Sequence, residues 1–312
     1  MEGDLCDQCK YSSFDGPNEE NNLGCSSCWC SDMSSECKST DKKWTTFGPK
    51  SDDKFTLVSA SGEELTSAQP NMKNQGRSYL AKFSRISQSQ CFWQLPKTFV
   101  GNKLAVYGGE FKFTVKNGLI PKPVQLIITG NGQQTMQNVA AGVKSVMLKS
   151  DGNWRSGEGY RRNTTRQELM TILANVDEIR LSACSGPYTH ETELIDVEMD
   201  MASNSGHNGQ ALSVEECTCP TGYTGASCES CAPGWYRISS SAGKIGVFGE
   251  CKKCACGNNE ECEDETGKCK VSFYCLILSL KSFQYKQHIL LPVCDISSRC
   301  EAKKVTRIEL CD

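Results

Sequence analysis

Glu110-Phe111-Lys112-Phe113-Thr114-Val115 alternates polar and apolar side chains, the signature of a strand with one wet face and one buried face. Val124-Gln125-Leu126-Ile127-Ile128 reads as a second strand, bounded by Pro121 and Pro123 on one side and the turn Gly130-Asn131-Gly132 on the other. Outward from this pair, Val143 to Leu148, Asp177 to Ala183 and Glu193 to Met201 read as further strands, the last alternating imperfectly at its start. Toward the N-terminus, a polar lead-in over 38–90 holds the short apolar pieces Trp44 to Phe47, Lys54 to Val58 and Tyr79 to Phe83. One helix interrupts the pattern: Leu169, Ile172, Leu173 and Val176 follow helical spacing, with Thr164 or Thr165 as N-cap. Many strands, Gly and Pro turns and a single short helix predict an all-β fold, an antiparallel jelly-roll-like β-sandwich.

The cysteines set the boundaries of this domain. Residues 38–216 hold only Cys91 and Cys184 of the 21 cysteines, so this block must be stabilised by its own apolar core. The other cysteines crowd into the two flanks, which are too thin for a core and must be held by crosslinks. That density fits an oxidising, extracellular compartment. The opening, Met1-Glu2-Gly3-Asp4-Leu5-Cys6, has no apolar h-region, so the natural N-terminus is expected upstream. Val271 to Leu280 is about half the length needed to span a bilayer, and no transmembrane helix is expected. A net charge of −3 gives no electrostatic case for a nucleic-acid partner. Inside the block, Cys91 and Cys184 are candidates to pair, the other reading being two buried thiols.

The N-terminal flank reads Cys6-x2-Cys9-x15-Cys25-x2-Cys28-x-Cys30-x6-Cys37 and has neither helical nor strand period. The C-terminal flank, after a soft linker at Asn204 to Gln210, reads Cys217-x-Cys219-x8-Cys228-x2-Cys231-x19-Cys251-x2-Cys254-x-Cys256-x5-Cys262-x6-Cys269. Paired Cys-x2-Cys spacings also fit four-cysteine zinc sites. Against zinc stand the Cys-x-Cys pairs that no tetrahedral site can use, the lack of nearby histidine and the lack of the basic surround usual for nucleic-acid zinc modules. A disulfide ladder accounts for every flank cysteine up to Cys269 except Cys6. No metal and no cofactor are expected.

Within the second flank lie Gly222-Tyr223-Thr224-Gly225 and Cys231-Ala232-Pro233-Gly234-Trp235-Tyr236. With the Cys-x-Cys and Cys-x8-Cys spacings, they resemble laminin-type EGF-like modules. The central block resembles the laminin IV type A domain, also called the laminin B domain. The residues that carry this are Trp93-Gln94-Leu95-Pro96, Gly101-Asn102-Lys103, Tyr107-Gly108-Gly109 and Thr165-Arg166-Gln167-Glu168-Leu169. Such domains occur in laminin α-type chains and perlecan-like basement-membrane proteoglycan cores.

The resemblance implies a pairing: Cys9–Cys25, Cys28–Cys37, Cys30–Cys217, Cys219–Cys228, Cys231–Cys251, Cys254–Cys262 and Cys256–Cys269. It also implies a layout. Residues 1–27 end one EGF-like module, and 28–37 plus 217–253 form a second module split by the insertion. Residues 38–216 are the inserted sandwich, and 254–270 begin a third module. From 271 to 312 the pattern fails, and this divergent tail, with Cys275, Cys294, Cys300 and Cys311, is expected to be poorly ordered with unpaired thiols.

No catalytic constellation is legible: His190, His207 and His288 are scattered, and no nucleophile, P-loop or HExxH motif appears. The expected function is therefore a non-enzymatic one. By resemblance it is a secreted structural segment of the extracellular matrix or basement membrane, a spacer and interaction module for other matrix proteins that supports assembly and cell adhesion. The alternative is a carbohydrate-binding module on a jelly-roll face, with Trp93, Tyr107, Trp154 and Tyr160 as its aromatic platform. Arg161, Arg162 and Arg166 would then form a patch for heparan sulfate. Asn163-Thr164-Thr165 is the chain's one N-glycosylation sequon, placing a candidate glycan on Asn163.

Overall fold

The computed structural model describes residues 9–16, 24–70, 78–82, 90–116, 122–184, 191–238, 248–256, 262–264, 266–270, 290–294 and 300–304. Short ribbons open the chain: β1 (Ser13–Phe14) pairs with β2 (Ser26–Ser27), and β3 (Cys37–Ser39) leads into the sandwich. The sandwich strands follow in order: β4 (Lys43–Phe47), β5 (Thr56–Ser59), β6 (Glu64–Ser67), β7 (Gln69–Pro70), β8 (Ser78–Lys82) and β9 (Cys91–Gln94). Then come β10 (Glu110–Lys116), β11 (Val124–Gly130), β12 (Gln133–Val139), β13 (Ser145–Met147), β14 (Arg155–Ser156) and β15 (Arg162–Asn163). Helix α1 (Arg166–Ala174), β16 (Val176–Ser182) and the long β17 (Glu191–Ser203) complete it. The polar lead-in over 38–90 thus supplies strands to both sheets.

One sheet runs β15-β14-β12-β11-β16-β9-β5-β6. The other runs β13-β10-β17-β8-β7, with β4 sharing the edge of β17 beyond β8. Every one of these pairings is antiparallel. Burial follows the alternation: Phe111 and Phe113 of β10, and Leu126 and Ile128 of β11, all point inward. They meet Phe55, Leu57, Trp93, Phe99, Leu181, Leu194 and Met199 in one continuous core between the sheets.

The imperfect alternation of β17 has a structural cause. Lys112 faces Glu198 but Thr114 faces Ile195, so Asp196 and Val197 together oppose Phe113. Asp196 takes a left-handed φ of 51°, the geometry of a β-bulge. The inward set therefore changes phase, from Thr192 and Leu194 to Val197 and Met199. The Asn131-Gly132 loop, with φ of 49° and 69°, closes the β11–β12 hairpin as a primed two-residue turn. At Gly130 a Cβ would lie 2.4 Å from the carbonyl oxygen of Ile172, so glycine lets the hairpin lie against α1.

Thr165, not Thr164, caps α1: its hydroxyl accepts the Glu168 N–H at 3.2 Å, and the Glu168 carboxylate accepts the Thr165 N–H at 3.0 Å. Thr164 is buried instead, its hydroxyl 2.7 Å from that of Thr135. Leu169, Ile172, Leu173 and Val176 are all buried.

Beyond the sandwich, β18 (Glu215–Cys217) pairs with β3, β19 (Tyr223–Thr224) with β20 (Ser230–Cys231), and β21 (Trp235–Ile238) with β22 (Glu250–Lys253). In the tail β23 (Leu290–Cys294) pairs with β24 (Cys300–Lys304), Cys294 opposite Cys300. The rest of the tail, with Cys275 and Cys311, lies outside the described residues, as do Cys6, His190 and His288. Among the described residues no helix is long and apolar enough to cross a membrane.

Candidate functional site

The place where most of the chain's parts meet is the root of the sandwich. The ribbon β3–β18 sets Cys37 opposite Cys217 and Ser39 opposite Glu215, so chain entry and exit lie side by side. The Thr40 N–H extends this contact by donating to the Val214 carbonyl at 2.9 Å. Adjacent termini are the geometric condition for lodging one domain within another. The stretch 204–210, expected to be a soft linker, is held here as well. The Trp44 N–H donates to the Gly209 carbonyl at 3.0 Å, and His207 and Asn208 both donate to the Trp44 carbonyl at 3.2 Å. A Cβ on Gly206 would meet the Lys43 carbonyl oxygen at 2.1 Å, so this segment is packed tightly on β4.

Eight disulfides join described residues: Cys9–Cys25, Cys28–Cys37, Cys30–Cys217, Cys91–Cys184, Cys219–Cys228, Cys231–Cys251, Cys254–Cys262 and Cys256–Cys269. Cys30 and Cys217 are 187 residues apart in sequence and 5.8 Å apart at Cα. Sulfurs of Cys28, Cys30 and Cys37 gather within 4.8 Å of one another, but all three are in disulfides and offer no thiolate to a metal.

Glu215 organises the junction. Its side chain is 0% exposed, and its carboxylate accepts the N–H groups of Trp29 and Cys30, each at 2.9 Å. Arg166, at the start of α1, donates to the same carboxylate at 2.9 Å and to the Ser27 carbonyl at 2.9 Å. The guanidinium also lies 5.3 Å from the Phe14 ring centroid and 5.0 Å from that of Tyr107. One arginine thus ties the sandwich to the chain before it, directly at Ser27 and through Glu215 at Trp29 and Cys30. A second tie lies alongside: Lys149 reaches Asp15 at 3.4 Å, and the Ser213 hydroxyl donates to Asp15 at 3.0 Å. Two charges buried this way are held by mutual pairing and by backbone donors, the condition under which burial is tolerated.

The C-terminal flank is gripped in the same manner. Asn102 donates to Glu229 at 2.8 Å, and Ser31 donates to the Ser227 carbonyl at 2.8 Å. Arg237 donates to the Glu229 carbonyl at 2.7 Å and stacks 5.7 Å from Phe248; burial lowers its pKa. Phe248 meets Trp29 edge-on.

The aromatic platform expected for a sugar is not assembled. Trp93, Tyr107 and Trp154 are buried side chains of the core. The indole N–H of Trp93 donates to Thr192 at 3.2 Å, that of Trp154 to the Met147 carbonyl at 3.1 Å, and the Tyr107 hydroxyl meets Ser150 at 3.2 Å. Rings that fill the core cannot stack on a ligand. Tyr160 alone is part-exposed, hydrogen-bonded to Gln134 and raised in pKa mainly by burial.

The arginine patch is dispersed too. Arg162 is paired with Glu168, Arg166 is turned inward to Glu215, and Arg161 stands exposed. Arg162 holds the Glu168 carboxyl at about 2, against an ordinary 4.5, with help from the Thr165 donors. Asn163 is exposed on β15, its side-chain oxygen bonded by Arg155. Neither carboxylate stands out in the sequence: Asp15 opens the turn sequence Asp15-Gly16-Pro17-Asn18, and Glu215 sits beside an ordinary exposed neighbour, Glu216. The signal available for Glu215 was its place two residues before Cys217.

Residues 92–215 match the family described as Laminin B (Domain IV). The chain carries a laminin B domain. Residues 204–245, running from its end into the C-terminal flank, match the laminin EGF domain. A mouse basement membrane-specific heparan sulfate proteoglycan core protein is 30% identical over 285 residues, which cover 86% of this chain and 8% of that protein. Mouse laminin subunit alpha-1 is 31% identical over 275 residues, 81% of this chain and 9% of that protein. The chain therefore spans under a tenth of either relative. The chain also aligns with the L4b domain of human laminin alpha-2, at 18% identity and a TM-score of 0.43, covering 52% of this chain and 98% of that one.

Proposed function

We propose that this chain is a non-catalytic segment of the extracellular matrix, secreted into basement membrane, where it acts as a spacer and protein-interaction module. The observation that carries the reading is the gripping of both flanks at one root: Arg166 and Glu215 hold Ser27, Trp29 and Cys30 on one side, and Asn102 holds Glu229 on the other. A domain fixed to its neighbours by a buried ion pair and a covalent bridge keeps a defined orientation, which a spacer requires. In this reading residues 28–37 and 217–253 are one EGF-like module, closed by Cys30–Cys217 around a sandwich spanning 38–216. Residues 1–27 end the module before it and 254–270 begin the one after. Its partners are other matrix proteins, and its place is matrix assembly and cell adhesion. The names of the relatives, a basement-membrane proteoglycan core and a laminin subunit, and the two families matched support this.

The test is retention of partners. The folded chain, immobilised and washed with basement-membrane extract, should retain matrix proteins identifiable by mass spectrometry. A folded chain that retains none would remove the interaction role.

A further inference from the structure

We propose that Glu215 selects which disulfides the split module forms, as a positioning residue acting on Cys30. This rests on the split-module reading above. Four sulfurs crowd the root: those of Cys28, Cys30, Cys37 and Cys217. Four cysteines allow three connectivities. Two of them, Cys30–Cys217 with Cys28–Cys37 and Cys28–Cys30 with Cys37–Cys217, have every partner within reach. The Cys30 sulfur lies within 4.8 Å of those of Cys28 and Cys37, and within 4.8 Å of that of Cys217. Cys217 also stands directly opposite Cys37 in the β3–β18 ribbon. Opposed residues of an antiparallel pair have Cα atoms about 4.5–5.5 Å apart, within disulfide range. Proximity does not choose between Cys30–Cys217 with Cys28–Cys37 and Cys28–Cys30 with Cys37–Cys217.

The direction of the Cys30 side chain does choose, and it is set by an unusual backbone. Cys30, Ser31 and Asp32 all take left-handed φ values, 42°, 54° and 61°. Non-glycine residues hold that conformation only where surrounding contacts over-determine it. Glu215 supplies those contacts, one carboxylate oxygen to the Trp29 N–H and the other to the Cys30 N–H. Arg166 fixes the carboxylate from the far side. Glu215 and Cys217 are two apart on β18 and so project from the same face of the strand. A single strand thus presents both the anchor that turns Cys30 and the sulfur that Cys30 meets.

Interconversion of the pairings needs no net oxidation. A glutathione thiolate attacks the Cys217 sulfur and releases the Cys30 thiolate. That thiolate attacks Cys28, releasing the Cys37 thiolate. The Cys37 thiolate attacks the Cys217–glutathione disulfide, forming Cys37–Cys217 and returning glutathione thiolate. Two disulfides exist before and after, so an equilibrium in reduced and oxidised glutathione reports the preference.

The full chain, Glu215→Ala, Glu215→Gln and Thr192→Val are equilibrated in glutathione buffer, quenched with acid and cleaved at Asp32. Disulfides are then mapped by fragmentation mass spectrometry. Wild type and Thr192→Val, which removes a core hydroxyl away from the root, should show Cys30–Cys217 with Cys28–Cys37. Glu215→Ala should shift the ratio toward Cys28–Cys30 with Cys37–Cys217 by about tenfold or more, the scale of losing two charge-assisted hydrogen bonds. Glu215→Gln, which keeps one acceptor, should fall between. Cys91–Cys184 reports that the sandwich has folded. Native pairing in Glu215→Ala at the wild-type ratio, with Cys91–Cys184 intact, overturns the proposal. If Glu215→Ala loses Cys91–Cys184, Glu215→Gln decides, and a wild-type ratio there overturns it. Absence of Cys30–Cys217 from the wild-type chain would instead overturn the split-module reading.

Discussion

At the residue scale, Thr165 serves two ends. It caps α1 and it is the hydroxyl position of the sequon at Asn163. Thr165→Ala should lower stability by about 1 kcal/mol through the lost cap. It should also abolish any mass increment sensitive to peptide N-glycosidase in chain secreted from animal cells. Asn163→Gln should abolish the increment while leaving the cap intact, so chemical denaturation of the enzymatically deglycosylated chains separates the two effects. Glu168 makes stability depend on acid. Its folded pKa is lowered to about 2 from 4.5, so its contribution is present above pH 4.5 and is lost as pH falls toward 2. Arg162 is largely exposed, so the effect is modest. Thermal melts at about pH 5 and pH 2 should differ more for wild type than for Glu168→Gln, which retains the capping geometry but not the charge.

At the element scale, β17 is the spine of its sheet, flanked by β10 on one edge and by β8 and β4 on the other. Its bulge at Asp196 keeps both halves apolar-inward. Asp196→Val should be less stable than Asp196→Gly by about 1–2 kcal/mol, because a β-branched residue resists the left-handed conformation; urea melts of the two variants check this. Trp154 closes the core beside β14, and Trp154→Ala should cost about 3–5 kcal/mol in urea denaturation while leaving any glycan-array signal unchanged. The strands most legible in the sequence were those whose alternation was apolar enough, β10, β11, β16 and β17. The helix was legible because Thr165 and Glu168 stand three apart before a 3.6-period run. Strand β12, Gln133 to Val139, was not. It is mostly polar, and it is a strand because the Asn131-Gly132 turn folds it back on β11. The tryptophans left two readings open for a related reason: composition cannot tell a ring that faces solvent from one that faces the opposite sheet. The root was the least legible part, since Glu215, Arg166, Asp15 and Lys149 come from four distant places in the chain.

At the scale of the whole molecule, the joined ends of the sandwich have a mechanical consequence. Tension applied along the flanking segments passes from Cys30 directly to Cys217 through the sulfur bridge, and the loop of residues 31–216 behind it carries none. The sandwich is a pendant that tension on the flanking segments cannot pull apart. Single-molecule extension of the oxidised chain should show no release of that loop. After reduction a further step should appear, of roughly 3.3–3.6 Å per freed residue less the folded span. Extension of the flanking segments and the fold of the pendant are then independent quantities, and the first can be strained without denaturing the second.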